Sequence, residues 1–327
     1  MIETWQQALP HGVTLSCRAT GTRGRPVLLF LHGFPEAAFV WDELLEHFAQ
    51  PAHGSYRCVA PNLRGYEHSS APADVAAYRA KHLVQDIAAL IAIESPSAPL
   101  ACLVAHDWGG AVAWNLANQQ PALLRKLAIL NSPHPGTFVR ELKSNPRQQA
   151  ASAYMNFLIR PDAQDLLADN DYQRLWEFFL GMGAGRSTDG SGDAGHGWLT
   201  DELKARYRAV WDRGLAGGLN YYRASPLRPP RSDDPAAANV ELPPEMLTIP
   251  VPTLVLWGLG DTALLPQLIE GLDTYVPQLT LESISDATHW IVHEHPQRVM
   301  ASLQRFLRSA AHADPLSKPK APPVDGS

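Results

Sequence analysis

The chain has little cysteine, no excess of positive charge and no long apolar run, and each shortage removes a class of function. Three cysteines occur, Cys17, Cys58 and Cys102, with no CxxC pair among them. An odd, scattered set argues against a disulfide framework or a zinc site and predicts buried, reduced thiols in a cytoplasmic protein. The formal net charge is −6, so the basic face that holds nucleic acid is missing. No stretch approaches the roughly 18 consecutive apolar residues of a membrane-spanning helix. The opening MIETWQQALPHG has neither a basic start nor an apolar stretch, so no secretory signal is expected.

What is present is a chain of 327 residues, 45% hydrophobic and 18% charged, long enough for one large core with an insertion. Short β-rich runs (VTLSCRAT, PVLLFLHG, YRCVAPNL, LACLVAH, LRKLAILN) alternate with helix-like stretches (FVWDELLEHFA, YRAKHLVQDIAALIAI, GGAVAWNLANQQ). The alternation resumes late, with VPTLVLWG, an expected helix LPQLIEGLDTYV, LTLESIS and an expected helix PQRVMASLQRFLRSA. Such alternation predicts an α/β fold with a mostly parallel central sheet covered by helices on both faces. Between about Pro135 and Pro250 the strand signal vanishes, and the sequence turns helical and aromatic-rich. The expected organisation is a core of residues 1–134 and 246–310 with a helical cap at 135–245. GMGAGRSTDGSGDAGHG at 181–197 reads as a loop in the cap, and 311–327 as a disordered, proline-rich tail.

Within LVAHDWGGAVAW a short apolar strand runs into a small-residue helix, with Asp107 at the turn. Strand, sharp turn and helix make a nucleophile elbow, here Ala105-His106-Asp107-Trp108-Gly109 with Asp at the attacking position. The competing reading is that Asp107 merely caps the helix, and partners must decide. An elbow nucleophile needs a later acid and a later imidazole, in that order. Asp261 follows the strand VPTLVLWG and His289 follows LTLESIS, both at the sheet edge where sites form. Asn131 ends the strand before the cap but is an amide, and Glu282 and Asp286 are fallback acids. An oxyanion hole would take the backbone N–H of Trp108, at a helix N-terminus, and that of Phe34 after the turn at Gly33.

His32-Gly33-Phe34-Pro35-Glu36, Arg64-Gly65-Tyr66, His106-Asp107-Trp108-Gly109-Gly110 and the late Asp261/His289 pair together resemble the α/β-hydrolase family in its epoxide hydrolase branch. The similarity covers about residues 10–308. Glu67 departs from it, standing where this family often has glycine. An ordinary carboxylate, with a pKa of ~4, is ionised at neutral pH and needs no base to attack saturated carbon. Histidine is then free to drive water onto the resulting ester. The resemblance implies two cap tyrosines that hydrogen-bond the epoxide oxygen. Tyr154, in Tyr154-Met155-Asn156-Phe157, and Tyr222, in Asn220-Tyr221-Tyr222-Arg223, match those positions, with Tyr221 as the register alternative.

Fluoroacetate dehalogenases are similar too, but they place Arg after the nucleophile and a His-Trp pair in the cap, where this chain has Trp108 and Tyr154-Met155. Haloalkane dehalogenases use Trp after the Asp, and Trp176, Trp198 or Trp211 could supply a second indole, yet Phe34 replaces their usual amide. A third reading keeps the fold as a non-catalytic ligand-binding protein. The resemblance implies no metal or organic cofactor. A small epoxide and water are the expected partners, with a homodimer left open.

Overall fold

The computed structural model describes residues 1–184 and 197–309. The central part of the glycine-rich run and all of the proline-rich tail lie outside the described residues. Eight strands form one sheet in the order β1-β2-β4-β3-β5-β6-β7-β8. They are β1 Glu3–Ala8, β2 Thr14–Thr20, β3 Val27–Leu31, β4 Arg57–Pro61, β5 Cys102–His106, β6 Leu127–Leu130, β7 Thr253–Gly258 and β8 Leu279–Ile284. β2 is antiparallel to β1 and to β4, and all other pairs are parallel. Every residue of β3 to β7 is buried, because helices cover both faces and leave no solvated side to write an alternating pattern. β1 (ETWQQA) has no fully buried residue and pairs on one side only, so its polar sequence gave no strand signal.

Eleven helices are described: α1 Asp42–Ala49, α2 Ala80–Glu94, α3 Asp107–Gln119, α4 Pro135–Ser144, α5 Pro146–Ala151, α6 Tyr154–Leu158, α7 Ala163–Gly181, α8 Asp201–Trp211, α9 Ala216–Ala224, α10 Ile291–Glu294 and α11 Pro296–Arg308. The helix expected over LPQLIEGLDTYV is instead two 3-10 turns, Pro266–Ile269 and Leu272–Thr274. Gly271 between them adopts a left-handed conformation, φ +69°, which an α-helix cannot pass through.

Between β6 and β7 the described residues carry α4 to α9 and no strand. This segment is tied down on the carboxyl edge of the sheet. Trp211 donates to the Pro35 carbonyl (2.7 Å), and Trp290 donates to that of Phe179 (3.1 Å). No helix among the described residues is long and apolar enough to cross a membrane.

Candidate active site

The site grows from the junction of β5 and α3. β5 ends at His106, and the helix begins at once with Asp107, whose φ is +49°. For a residue with a Cβ this left-handed turn is strained, and such strain concentrates at functional positions. Small neighbours make the turn sterically feasible. A Cβ on Gly109 would lie 2.6 Å from the His32 carbonyl oxygen, and one on Gly33 would lie 2.7 Å from the Asp107 Cγ. Ser132, just past β6, donates to the Asp107 carbonyl at 2.7 Å.

The Asp107 carboxylate does not cap α3. Its Oδ1 accepts the Phe34 N–H at 2.8 Å, while Oδ2 faces His289 Nε2 at 3.8 Å. The Trp108 N–H is the second of α3, so no helical carbonyl precedes it to accept its hydrogen. On the far side of the imidazole, His289 Nδ1 stands 2.8 Å from Asp261 Oδ2. Asp261 is anchored in turn by Asn131 Nδ2 on Oδ2 (2.8 Å) and by the N–H groups of Ala263 (2.9 Å) and Leu264 (2.8 Å) on Oδ1. The fallback acids point elsewhere: Glu282 binds Ser302 and Arg305, and Asp286 faces His295 and Arg298.

Burial by itself would lower the His289 pKa, but the Asp261 charge, the hydrogen bond to it, and then Asp107 and Glu36 raise it to about 9. Burial would likewise push the Asp261 carboxyl up, yet His289 and the converging donors hold it below the ordinary carboxylate range. The resting imidazole is therefore a cation between two acids.

Tyr154, Tyr222, Asp107 and Trp108 line one cavity of about 250 Å³. Its other walls are largely apolar, among them Leu83, Val112, Phe138, Met155 and Leu227. Tyr154 also lines a second cavity of about 220 Å³, together with Phe34 and Phe178. Burial, then the charges of Asp107 and Asp261, push the Tyr154 phenol well above its ordinary range and outweigh a hydrogen bond from Tyr222. Burial, then Tyr154 and Asp107, do the same for Tyr222. Both are neutral O–H groups at pH 7. The register alternative Tyr221 is occupied: its hydroxyl donates to the Arg64 carbonyl at 2.9 Å.

The three tryptophans weighed as halide donors do not line the Asp107 cavity. Trp176 donates to Asp171 and Trp211 to Pro35. Trp198 stacks on His293 at 4.1 Å. Among the described residues no group of three or more His, Cys, Asp or Glu is placed to hold a metal ion.

The family model described as alpha/beta hydrolase fold matches residues 26–296. The chain belongs to the α/β-hydrolase fold family. This α/β hydrolase is 31% identical to epoxide hydrolase 4 of Mus musculus over 301 residues, covering 90% of this chain and 77% of that protein. It is 31% identical to the AB hydrolase superfamily protein YfhM of Bacillus subtilis over 302 residues, covering 91% and 96% respectively. Among solved structures it resembles the epoxide hydrolase of Bacillus megaterium crystallised with an inhibitor, with a TM-score of 0.80 and 29% identity over 93% of this chain and 100% of that one.

Sequence reasoning missed a buried network behind the imidazole. Glu36 Oε1 accepts the Tyr207 hydroxyl (2.7 Å) and meets His293 Nε2 (2.7 Å), and Glu36 Oε2 lies 3.3 Å from His106 Nδ1. His106 Nε2 in turn donates to the His289 carbonyl at 2.9 Å. Glu36 and His106 stand inside the quoted motifs, but Tyr207 and His293 are 171 and 257 residues from Glu36, and no spacing in the sequence pairs them. Glu294 was missed as well; it grips Thr288, the residue before His289, through both Thr288 N–H and Oγ1 at 2.6 Å.

Proposed function

We propose that this chain is an epoxide hydrolase that converts an epoxide to a vicinal diol through an ester on Asp107. The observation that carries the reading is one carboxylate facing three kinds of partner. The Phe34 N–H holds its Oδ1, His289 faces its Oδ2, and the Tyr154 and Tyr222 phenols share its cavity. Oδ2 is the attacking atom, since Oδ1 is held by a hydrogen bond. As the Oδ2–C bond forms and the ring C–O bond breaks, the departing oxygen takes a phenolic proton from Tyr154 or Tyr222.

Esterification removes the Asp107 charge, one of the groups that raise His289, so the imidazole passes its proton to the phenolate left by ring opening and can serve as a base. His289 then takes a proton from water as the oxygen adds to the ester carbonyl. The new negative charge falls on Oδ1, facing the N–H groups of Phe34 and Trp108. Collapse expels the diol oxygen, which takes the proton from His289. The remaining proton of that water, now on the Asp107 carboxyl, passes to His289, which restores the imidazolium and leaves Asp107 as a carboxylate. Residues 135–245 act as the cap that brings both phenols over the core. Every group in this scheme belongs to one chain, so a homodimer is not required. Three buried free thiols fit a reducing compartment such as the cytoplasm.

The test is His289→Gln exposed to an aryl epoxide and, separately, to a haloalkane and a haloacetate, followed by intact-mass and peptide analysis. A mass increase equal to the epoxide on the Asp107 peptide is the expected result. Adducts from the halides alone would overturn the reading in favour of a dehalogenase, and no adduct from any of them would favour a non-catalytic binder.

A further inference from the structure

Tyr221 stands beside the proposed acid Tyr222 on α9 but points into the core. It is 1% exposed, and its hydroxyl ends on the carbonyl of Arg64 at 2.9 Å. That carbonyl belongs to a braced loop. The Arg64 guanidinium is bidentate to Asp86 of α2, Nε to Oδ2 at 2.7 Å and Nη2 to Oδ1 at 2.6 Å, and its Nη1 donates to the Ala77 carbonyl at 2.8 Å. His11, from the turn between β1 and β2, meets the same Asp86 Oδ1 at 2.7 Å. Both side chains of the ion pair are at most 5% exposed, and a buried bidentate pair with its remaining donors satisfied is rigid.

The next residue of the loop makes the second contact. Gly65 has φ +88°, and a Cβ there would stand 2.7 Å from the Gly217 Cα in the first turn of α9. A Cβ on Gly217 would stand 2.7 Å from the Gly65 carbonyl carbon. Backbone therefore rests on backbone, and the Tyr221 hydroxyl closes the seat one turn later. Successive helix residues are about 100° apart, a consequence of 3.6 residues per turn. Fixing Tyr221 against the loop thus fixes the direction of Tyr222, whose ring lies edge-on to Phe34 (5.3 Å) and Trp108 (5.0 Å) beside Asp107.

We propose that Tyr221, seated on the Arg64 carbonyl and backed by Asp86, is a positioning residue that aims Tyr222 at the epoxide oxygen. The inference rests on the epoxide hydrolase reading above. It predicts a selective defect, because Tyr222 is used when the ring opens and not when water cleaves the ester.

Tyr221→Phe removes one hydroxyl and leaves the Arg64 carbonyl unpaired. In the His289→Gln background, the rate of ester formation from an aryl epoxide is followed by chemical quench and intact mass. With His289 intact, decay of the ester is followed in a single turnover. Ester formation is expected to slow about three- to tenfold, the worth of one buried neutral hydrogen bond, while decay stays within about twofold. Asp86→Asn, which loosens Arg64 but leaves its Ala77 contact, is expected to shift the ratio of the two rates in the same direction. Equal slowing of both steps, or a lowered melting temperature with neither rate changed, would reduce Tyr221 to a packing role and overturn the proposal. An unchanged ratio in Asp86→Asn would overturn the part given to Arg64. If His289→Gln itself forms no ester from epoxides, the functional reading fails first, and that outcome is recognisable without the Tyr221 variant.

Discussion

Gly33 and Asp107 are packed so closely that a Cβ on Gly33 would reach to 2.7 Å from the Asp107 Cγ. The glycine is thus a requirement of the nucleophile's position, as much as of the turn after β3. Gly33→Ala must push the carboxylate aside and break its 2.8 Å hydrogen bond from the Phe34 N–H. A misplacement of about 1 Å at a reacting atom costs on the order of 100-fold. Ester formation in the His289→Gln background is expected to fall by about that factor relative to the Gly33 parent. A rate equal to the parent's would mean that the carboxylate attacks from a different position.

The pair of His289 and Asp261 makes stability depend on pH in a stated direction. His289 is raised to about 9 from 6.5, so the folded state keeps a proton that the unfolded state releases between those values. Its contribution is full below about pH 6.5 and is lost as pH rises through about 9. His32 and His134 act oppositely: burial lowers both to about 4, so stability falls as pH drops from about 6.5 toward 4. Melting temperature should therefore peak near pH 6.5 and decline on both sides. In Asp261→Asn the alkaline decline should flatten, because the largest group raising His289 is gone. An undiminished alkaline slope in that variant would show that Asp261 does not hold the proton there. The same variant should retain ester formation while ester hydrolysis drops by as much as about 10⁴, the loss seen when an acid that orients a catalytic histidine becomes an amide.

How much of this was readable beforehand depended on whether a contact is written locally. β3, β5 and β7 announce themselves because strands buried on both faces become continuous apolar runs, and the turn at Asp107 because it sits between such a run and a small-residue helix. β1 stayed hidden because an edge strand keeps polar residues. The expected helix at LPQLIEGLDTYV failed on one residue, since the left-handed Gly271 looks like any other glycine in the sequence. Tyr221 and Tyr222 are indistinguishable by spacing, and a carbonyl 157 residues away separates them. Glu36 belongs to a quoted motif, but its partners Tyr207 and His293 come from α8 and α10 and become neighbours only in the folded chain.

Glu67 marks the departure from the family's usual glycine, and the structure gives it a cost and a compensation. Its φ is +49°, a left-handed conformation that costs a residue with a Cβ roughly 1–2 kcal/mol and glycine far less. Its carboxylate accepts hydrogen bonds from Ser16 Oγ (2.8 Å) and from Asn62 Nδ2, and Asn62 in turn holds the Ala38 N–H at 2.8 Å. Bonds to a charged group contribute about 1.5–3 kcal/mol each, so two of them exceed the strain. Glu67→Gly is expected to destabilise the fold by about 1–3 kcal/mol in denaturant titration with steady-state turnover unchanged. A more stable Gly variant would show that the hydrogen bonds do not offset the strain.

The two phenols share one cavity with Asp107, yet their surroundings differ, and this yields a prediction for each. Tyr222 is 3% exposed and wedged between Phe34 and Trp108. Tyr154 is only partly buried, begins the short helix α6 and borders both cavities. Losing one of two donors to a developing alkoxide should slow ester formation by about 10²-fold or more, in line with removal of a single oxyanion donor. Tyr222→Phe keeps the ring and its packing, so its defect should appear in the rate of ester formation with no change in melting temperature. Tyr154→Phe should slow the same step and also alter the preference among epoxides of different length, because this ring borders both cavities. Neither variant should change the decay of a preformed ester by more than about twofold, since in the proposed scheme the Phe34 and Trp108 N–H groups serve that step. A Tyr154→Phe/Tyr222→Phe double variant that still forms ester from an epoxide at the parent's rate would remove both phenols from the mechanism and leave the opening oxygen to be protonated by water.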